Sequence, residues 1–132
     1  MRDANRYTRH TTLVQADELV ASRERSAAVF GNSFFAEVVT AVERLSAPAE
    51  AFVTTRMVAS ETTLSDSLVR PVMHRLRNVG LIMALPRTGG PRSTIHYQVQ
   101  RGPLWTAVVT ACALIIEESR PYHSQRQADT QP

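Results

Sequence analysis

Leu64-Ser65-Asp66-Ser67-Leu68-Val69-Arg70-Pro71-Val72-Met73-His74-Arg75-Leu76-Arg77-Asn78-Val79-Gly80-Leu81 is the stretch on which the reading of the chain turns. At about 100° per residue, Leu68, Val69, Val72, Met73, Leu76 and Val79 fall on one broad apolar stripe, with Ser67, Arg70, Pro71, His74 and Asn78 opposite. Ser65 stands where an N-cap hydroxyl meets the first open N–H groups. Asp66 follows where the helix dipole favours an anion, and Gly80 where a left-handed C-terminal residue is wanted. A helix from Asp66 to Val79 follows, with one face for a core and the other free for a partner.

On the N-terminal side, Thr54 or Thr55 caps a short helix carrying Arg56, Met57, Val58 and Ala59 to about Ser60, and Glu61-Thr62-Thr63 turns into the Ser65-capped helix. Earlier, Phe34, Val38, Val42 and Leu45 predict a helix; Ser46 to Ala51 reads as a loop, with Phe52-Val53 as a brief strand. On the C-terminal side, Leu81 to Leu85 and Ile95-Tyr97-Val99 flank Pro86 to Thr94, whose Gly89-Gly90 marks a β-hairpin with Arg87 and Arg92 at its tip.

Short helix, turn, long helix and basic hairpin, in the register Leu-Ser-x-Ser-x-Val (64–69) and Leu-Arg-x-Val-Gly-Leu-Ile (76–82), resemble the winged helix-turn-helix repressors of the MarR and ArsR types. The likeness spans Phe34 to Val99. Two features depart from it: the turn lacks the glycine often found there, and Pro71 lies inside the recognition helix, where it cannot donate to the Ser67 carbonyl and should bend the axis. The paired Cys ligands of a metal-sensing ArsR-type protein are also missing.

The resemblance implies a mainly α fold with a small β-hairpin, binding double-stranded DNA as a sequence-specific transcriptional regulator. A helix about 10–12 Å wide fits a major groove of about 12 Å, so Ser67, Arg70, Pro71 and His74 are the candidates for base edges, beside Ser65 at the helix start. Arg70 is the first choice for guanine, since its fork matches O6 and N7. Arg75, on the helix shoulder, is expected on phosphate, as are Thr55 and Arg56 at the start of the preceding helix. Arg87 and Arg92 on the wing would enter the adjacent minor groove or clamp its phosphates.

The chain has 132 residues, enough for one domain. All fifteen cations of the Lys/Arg class are Arg, which codon bias explains as readily as selection for the phosphate-matching fork. Charge is segregated: 67–116 holds six Arg and no carboxylate, whereas the other nine Arg and all twelve Asp and Glu lie outside it, giving +6 inside and −3 outside. Such a field suits a polyanion.

Residues 1–11 carry Arg2, Arg6, Arg9 and His10 without a hydrophobic period and read as a disordered basic arm. Residues 12–30 read as an amphipathic helix, 31–101 as the DNA-binding domain, 102–119 as a C-terminal helix opened by Gly102-Pro103, and 120–132 as a disordered tail. Leu104 to Ile116 is apolar on nearly every side yet too short to span a bilayer, and no leader is evident. Covering it calls for a second copy: a homodimer through the two terminal helices, on a near-palindromic site.

No Ser–His–Asp order, phosphate loop or carboxylate pair marks an enzyme, and no cofactor is expected. His74 and His96 have no further ligand at metal-binding spacing, and Trp105 and Tyr97 read as core rather than as base-stacking platforms. The lone Cys112 reads as a small buried hydrophobe, a redox sensor being the other possibility, in a cytoplasmic, nucleoid-associated protein. A small-molecule effector between the dimer helices stays open as a partner. The alternatives to a regulator are a winged-helix protein-interaction module meeting an acidic partner with the same face, and a DNA-partition factor of the same fold.

Overall fold

The computed structural model describes residues 2–48 and 51–120. Its elements are α1 (Arg2–Phe30), α2 (Phe35–Ser46), α3 (Thr55–Thr62), α4 (Asp66–Asn78), β1 (Ile82–Ala84), β2 (Tyr97–Val99) and α5 (Pro103–Ser119). This is the mainly helical, winged helix-turn-helix architecture that the sequence predicts. One boundary is corrected. Helix α1 begins at Arg2, so the stretch read as a basic arm lies in the helix. Nothing between Arg2 and Thr12 is Gly or Pro, and an established helix gains one hydrogen bond for each residue it adds. The predicted tail, from Pro121 on, falls outside the described residues.

The core gathers Val38, Val39 and Val42 of α2, Val58 of α3, Val69, Val72, Met73 and Leu76 of α4, and Ile82, Tyr97, Trp105 and Cys112. The ends of the predicted α4 stripe behave differently: Leu68 is 38% and Val79 65% exposed. Only the middle of the helix crosses the core, so the same angular position is buried at its centre and open at its ends.

One hydroxyl and one side-chain amide fix the approach of α1 to α2. Ser26 Oγ, fully buried, donates to the Asn32 carbonyl at 2.7 Å and accepts from the Ala36 N–H at 3.0 Å. The Asn32 side chain in turn accepts from the Phe34 N–H at 2.8 Å, closing the turn at Gly31-Asn32-Ser33.

Thr54 caps α3, its hydroxyl accepting from the Met57 N–H at 3.1 Å. Thr63, in the turn between α3 and α4, takes the left-handed conformation (φ 59°). Ser65 has extended N-cap dihedrals, but its hydroxyl lies 3.0 Å from Ser67 Oγ and makes no capping bond to the helix. Helix α4 runs without interruption through the exposed Pro71.

The end of α4 aims the wing. Gly80, at φ 78°, donates to the Arg77 carbonyl at 3.0 Å, and Leu81 donates to the Leu76 carbonyl at 2.9 Å. This pair of bonds is the Schellman termination, and it requires a left-handed residue at Gly80. A Cβ there would meet no neighbour, so the penalty for Gly80→Ala is purely one of backbone conformation. We expect Gly80→Ala to lower stability by about 1 kcal/mol, read from the urea midpoint at unchanged slope.

Strands β1 and β2 pair antiparallel with Ile82 opposite Val99 and Ala84 opposite Tyr97. The predicted strands are longer, and the pairing does extend beyond the regular strands through Leu85 N–H to the His96 carbonyl (2.8 Å) and Gln100 N–H to the Leu81 carbonyl (2.8 Å). Val53 joins the other side of β2 through two bonds with Tyr97, of 2.9 and 2.8 Å; where a brief Phe52-Val53 strand is predicted, a single bridge at Val53 forms, and it ties the wing root to the start of α3.

Candidate nucleic-acid interface

A groove of about 410 Å³ opens between α4, the N-terminal end of α3 and the wing, and Thr55, Arg56, Arg70, His74, Arg87 and Arg92 all line it. These six sequence candidates come from three separate segments. Arg70 and His74 stand four residues apart on the exposed side of α4, while the stripe behind them holds the core. Thr55 and Arg56 arrive because Thr54 starts α3 at the groove edge, its first N–H groups open toward an anion. Arg87 reaches across the wing loop to the Pro91 carbonyl, and Ser93 Oγ donates to the Gly90 carbonyl at 2.7 Å, so the loop holds its own shape.

The remaining candidates are placed elsewhere. Ser65, Ser67 and Pro71 are exposed along α4 but do not line the groove. Arg75 departs from its expected role. Its guanidinium turns away from the groove and donates to the Phe30 carbonyl at 2.6 Å, at the end of α1. A cation there satisfies a helix-terminal carbonyl and complements the negative end of the α1 dipole.

Arg101, counted in the basic segment, likewise faces its own protein. It bonds Glu43 at 3.1 Å and the Ser46 carbonyl at 2.6 Å, while Glu43 also accepts from Trp105 Nε1 at 2.6 Å. Trp105 is core, as predicted, and these bonds pin the start of α5 to the end of α2. Of the six Arg in 67–116, Arg70, Arg87 and Arg92 line the groove, joined there by Arg56 from outside that segment.

Sequence reasoning passed over Asp66, Ser93 and Thr94, which also line the groove. Asp66 was visible only as a dipole partner of α4. The two hydroxyls directly follow Pro91-Arg92, so their place in a basic turn was the signal available.

Away from the groove, burial pushes the Cys112 thiol up to about 12. A thiol held neutral is a poor nucleophile. We expect iodoacetamide at pH 8 to label Cys112 at least ~10-fold more slowly in the folded protein than in denaturant, as intact mass would show. Equal rates would revive the redox-sensor reading. In the unfolded chain the thiol titrates near its ordinary value, so this burial contributes stability below that value and loses it as pH rises toward 12.

Helix α5 packs on α2 and α1 of its own chain. Trp105, Cys112 and Ser119 are buried, but Leu104 is 60% and Leu114 48% exposed, with Ala107 and Ala113 also open. One face of the apolar helix is thus covered within the chain and the other is not. Leu19, Val20 and Val29 of α1 are further exposed apolar residues. Among the described residues, no helix is long and apolar enough to cross a membrane.

An exposed helix lying beside a cationic wing, after a short helix and a turn, makes this a winged helix-turn-helix fold. More narrowly, the fold is that of the MarR-type transcription regulators. The structure resembles MarR from E. coli in its apo form (TM-score 0.63, 12% identity, covering 90% of this chain and 83% of MarR). It also resembles MepR, a transcription regulator of the Staphylococcus aureus multidrug efflux pump MepA (TM-score 0.58, 11% identity, 96% and 84% covered). The reduced form of E. coli MarR aligns similarly (TM-score 0.59, 11% identity, 94% and 84% covered). No family model matches the sequence, and no curated protein does.

Proposed function

We propose that the protein is a sequence-specific, double-stranded-DNA-binding transcriptional regulator that acts as a homodimer on a near-palindromic site. The observation that carries this reading is the convergence of Arg56, Arg70, Arg87 and Arg92 on one groove, beside an exposed helix of major-groove width. Arg70 and His74 meet base edges. Thr55, Arg56 and the wing arginines hold phosphates, which set register without reading sequence.

The homodimer is supported by α5. Leu104, Ala107, Ala111 and Leu114 recur at three- and four-residue intervals, the spacing of a helix–helix seam, and Leu104 and Leu114 at its ends are largely uncovered within the chain. Two-fold symmetry then sets two α4 helices on half-sites about one helical turn apart. Arg75 contributes indirectly, by tying α4 to the end of α1 and hence to the proposed dimer frame.

Titration of the full-length protein with duplex DNA tests the proposal. Affinity is expected to fall by orders of magnitude between about 50 and about 200 mM salt, because each neutralised phosphate releases counterions. Absence of binding at the lower concentration refutes it and favours a protein partner for the same face.

A further inference from the structure

We infer that Asp66 is a specificity-determining residue of this interface, its carboxylate accepting a hydrogen bond from the exocyclic N4 amino group of a cytosine in the major groove. The inference rests on the DNA-binding reading above and assigns one base position within it. Asp66 is the first residue of α4 and is the one carboxylate in a groove lined by four guanidinium groups. It pairs with none of them. Among the described residues the ion pairs are Arg23–Glu37, Arg44–Glu61 and Arg101–Glu43, so even Arg70, four residues along the same helix, leaves Asp66 free. No hydrogen bond to its side chain is formed among those residues either.

A free carboxylate facing a polyanion repels phosphate and so weakens binding to every duplex alike. Such a residue strengthens binding only to a sequence that offers it a donor, and in helix-turn-helix docking the N-terminal residues of the recognition helix are the ones that reach base edges. In the major groove, guanine presents the acceptors N7 and O6, and thymine an acceptor and a methyl group. Adenine sets its amino donor beside the acceptor N7, whereas cytosine offers its amino group with no acceptor of its own alongside. A carboxylate therefore favours cytosine, is repelled by the acceptors of guanine and thymine, and meets the adenine amino group only with N7 alongside, which makes the discrimination largely one against wrong bases. Arg70, one turn further along the same side of the helix, is matched to guanine, so the two residues read complementary edge patterns.

The simpler role for Asp66, an anion at the positive end of α4, predicts altered stability but no altered base preference. Selection of bound duplexes from a randomised pool separates the two, using the full-length protein, Asp66→Ala and Asp66→Asn, with thermal melting of each. The wild type is expected to select cytosine at one position per half-site by roughly tenfold, the order expected of a single good base contact. Asp66→Ala should lose preference at that position alone while binding scrambled duplex more tightly. Asp66→Asn should move the preference to adenine, whose N6 and N7 an amide matches. An Asp66→Asn protein that melts like the wild type and still selects the wild-type motif overturns the inference and leaves the DNA-binding reading intact. A wild type that binds no duplex overturns both.

Discussion

Replacing Arg70 with Ala is expected to weaken binding to the preferred duplex by roughly 5- to 150-fold, the equivalent of about 1–3 kcal/mol for a bidentate guanine contact. The loss should appear as relaxed discrimination at one base pair, measured by titrating the preferred duplex against one changed at that position. Arg70 is exposed and makes no hydrogen bond or ion pair to another described side chain, so its removal leaves the fold unchanged. Arg87→Ala or Arg92→Ala should weaken all duplexes to a similar extent and reduce the salt slope by about 1 each. Arg75→Ala provides the contrast. Its partner is the Phe30 carbonyl, so it should lower stability by about 0.5–1 kcal/mol and leave the salt slope unchanged. A slope that falls with Arg75→Ala would return that residue to the phosphate role expected from the sequence.

Leu114→Asp should convert the protein to a monomer at micromolar concentration. In an isolated chain the substitution places a charge on a side chain already 48% exposed, so folding changes little. In the proposed dimer the same carboxylate is buried without a partner, at a penalty of several kcal/mol per copy. Binding to a two-half-site duplex should weaken in parallel, since each recognition helix then engages its half-site independently. Sedimentation velocity gives the assembly state. A wild type that sediments as a monomer at the same concentration, or a variant that remains dimeric, refutes the α5 interface.

What could be read without coordinates depended on periodicity and on turn residues. The four central positions of the α4 stripe, Val69, Val72, Met73 and Leu76, are all fully buried, and Gly80 is left-handed where the helix ends. Both are local properties, since the rotation per residue assigns a face and a positive φ selects glycine. The hairpin with its basic tip was legible for the same reason. Helix boundaries were less so: α1 extends to Arg2 because helix continuation needs no hydrophobic period, and Leu68 and Val79 emerge from the core because a period does not say how far the core reaches.

The sequence by itself determined that α4 would be a two-faced helix followed by a cationic hairpin, and that the terminal helix would carry more apolar surface than its own chain covers. Only the tertiary structure decided what each arginine does. Arg70 and Arg75 stand five positions apart on one helix, yet one lines the groove and the other bonds a carbonyl distant in sequence at the end of α1. Arg101 is held by Glu43, and Asp66 shares the groove with the wing rather than pairing with Arg70. A guanidinium sits on a long, flexible stem, so its helical position sets only the direction in which it leaves the backbone. The oxygen it finally meets is supplied by whichever distant segment the fold brings within reach.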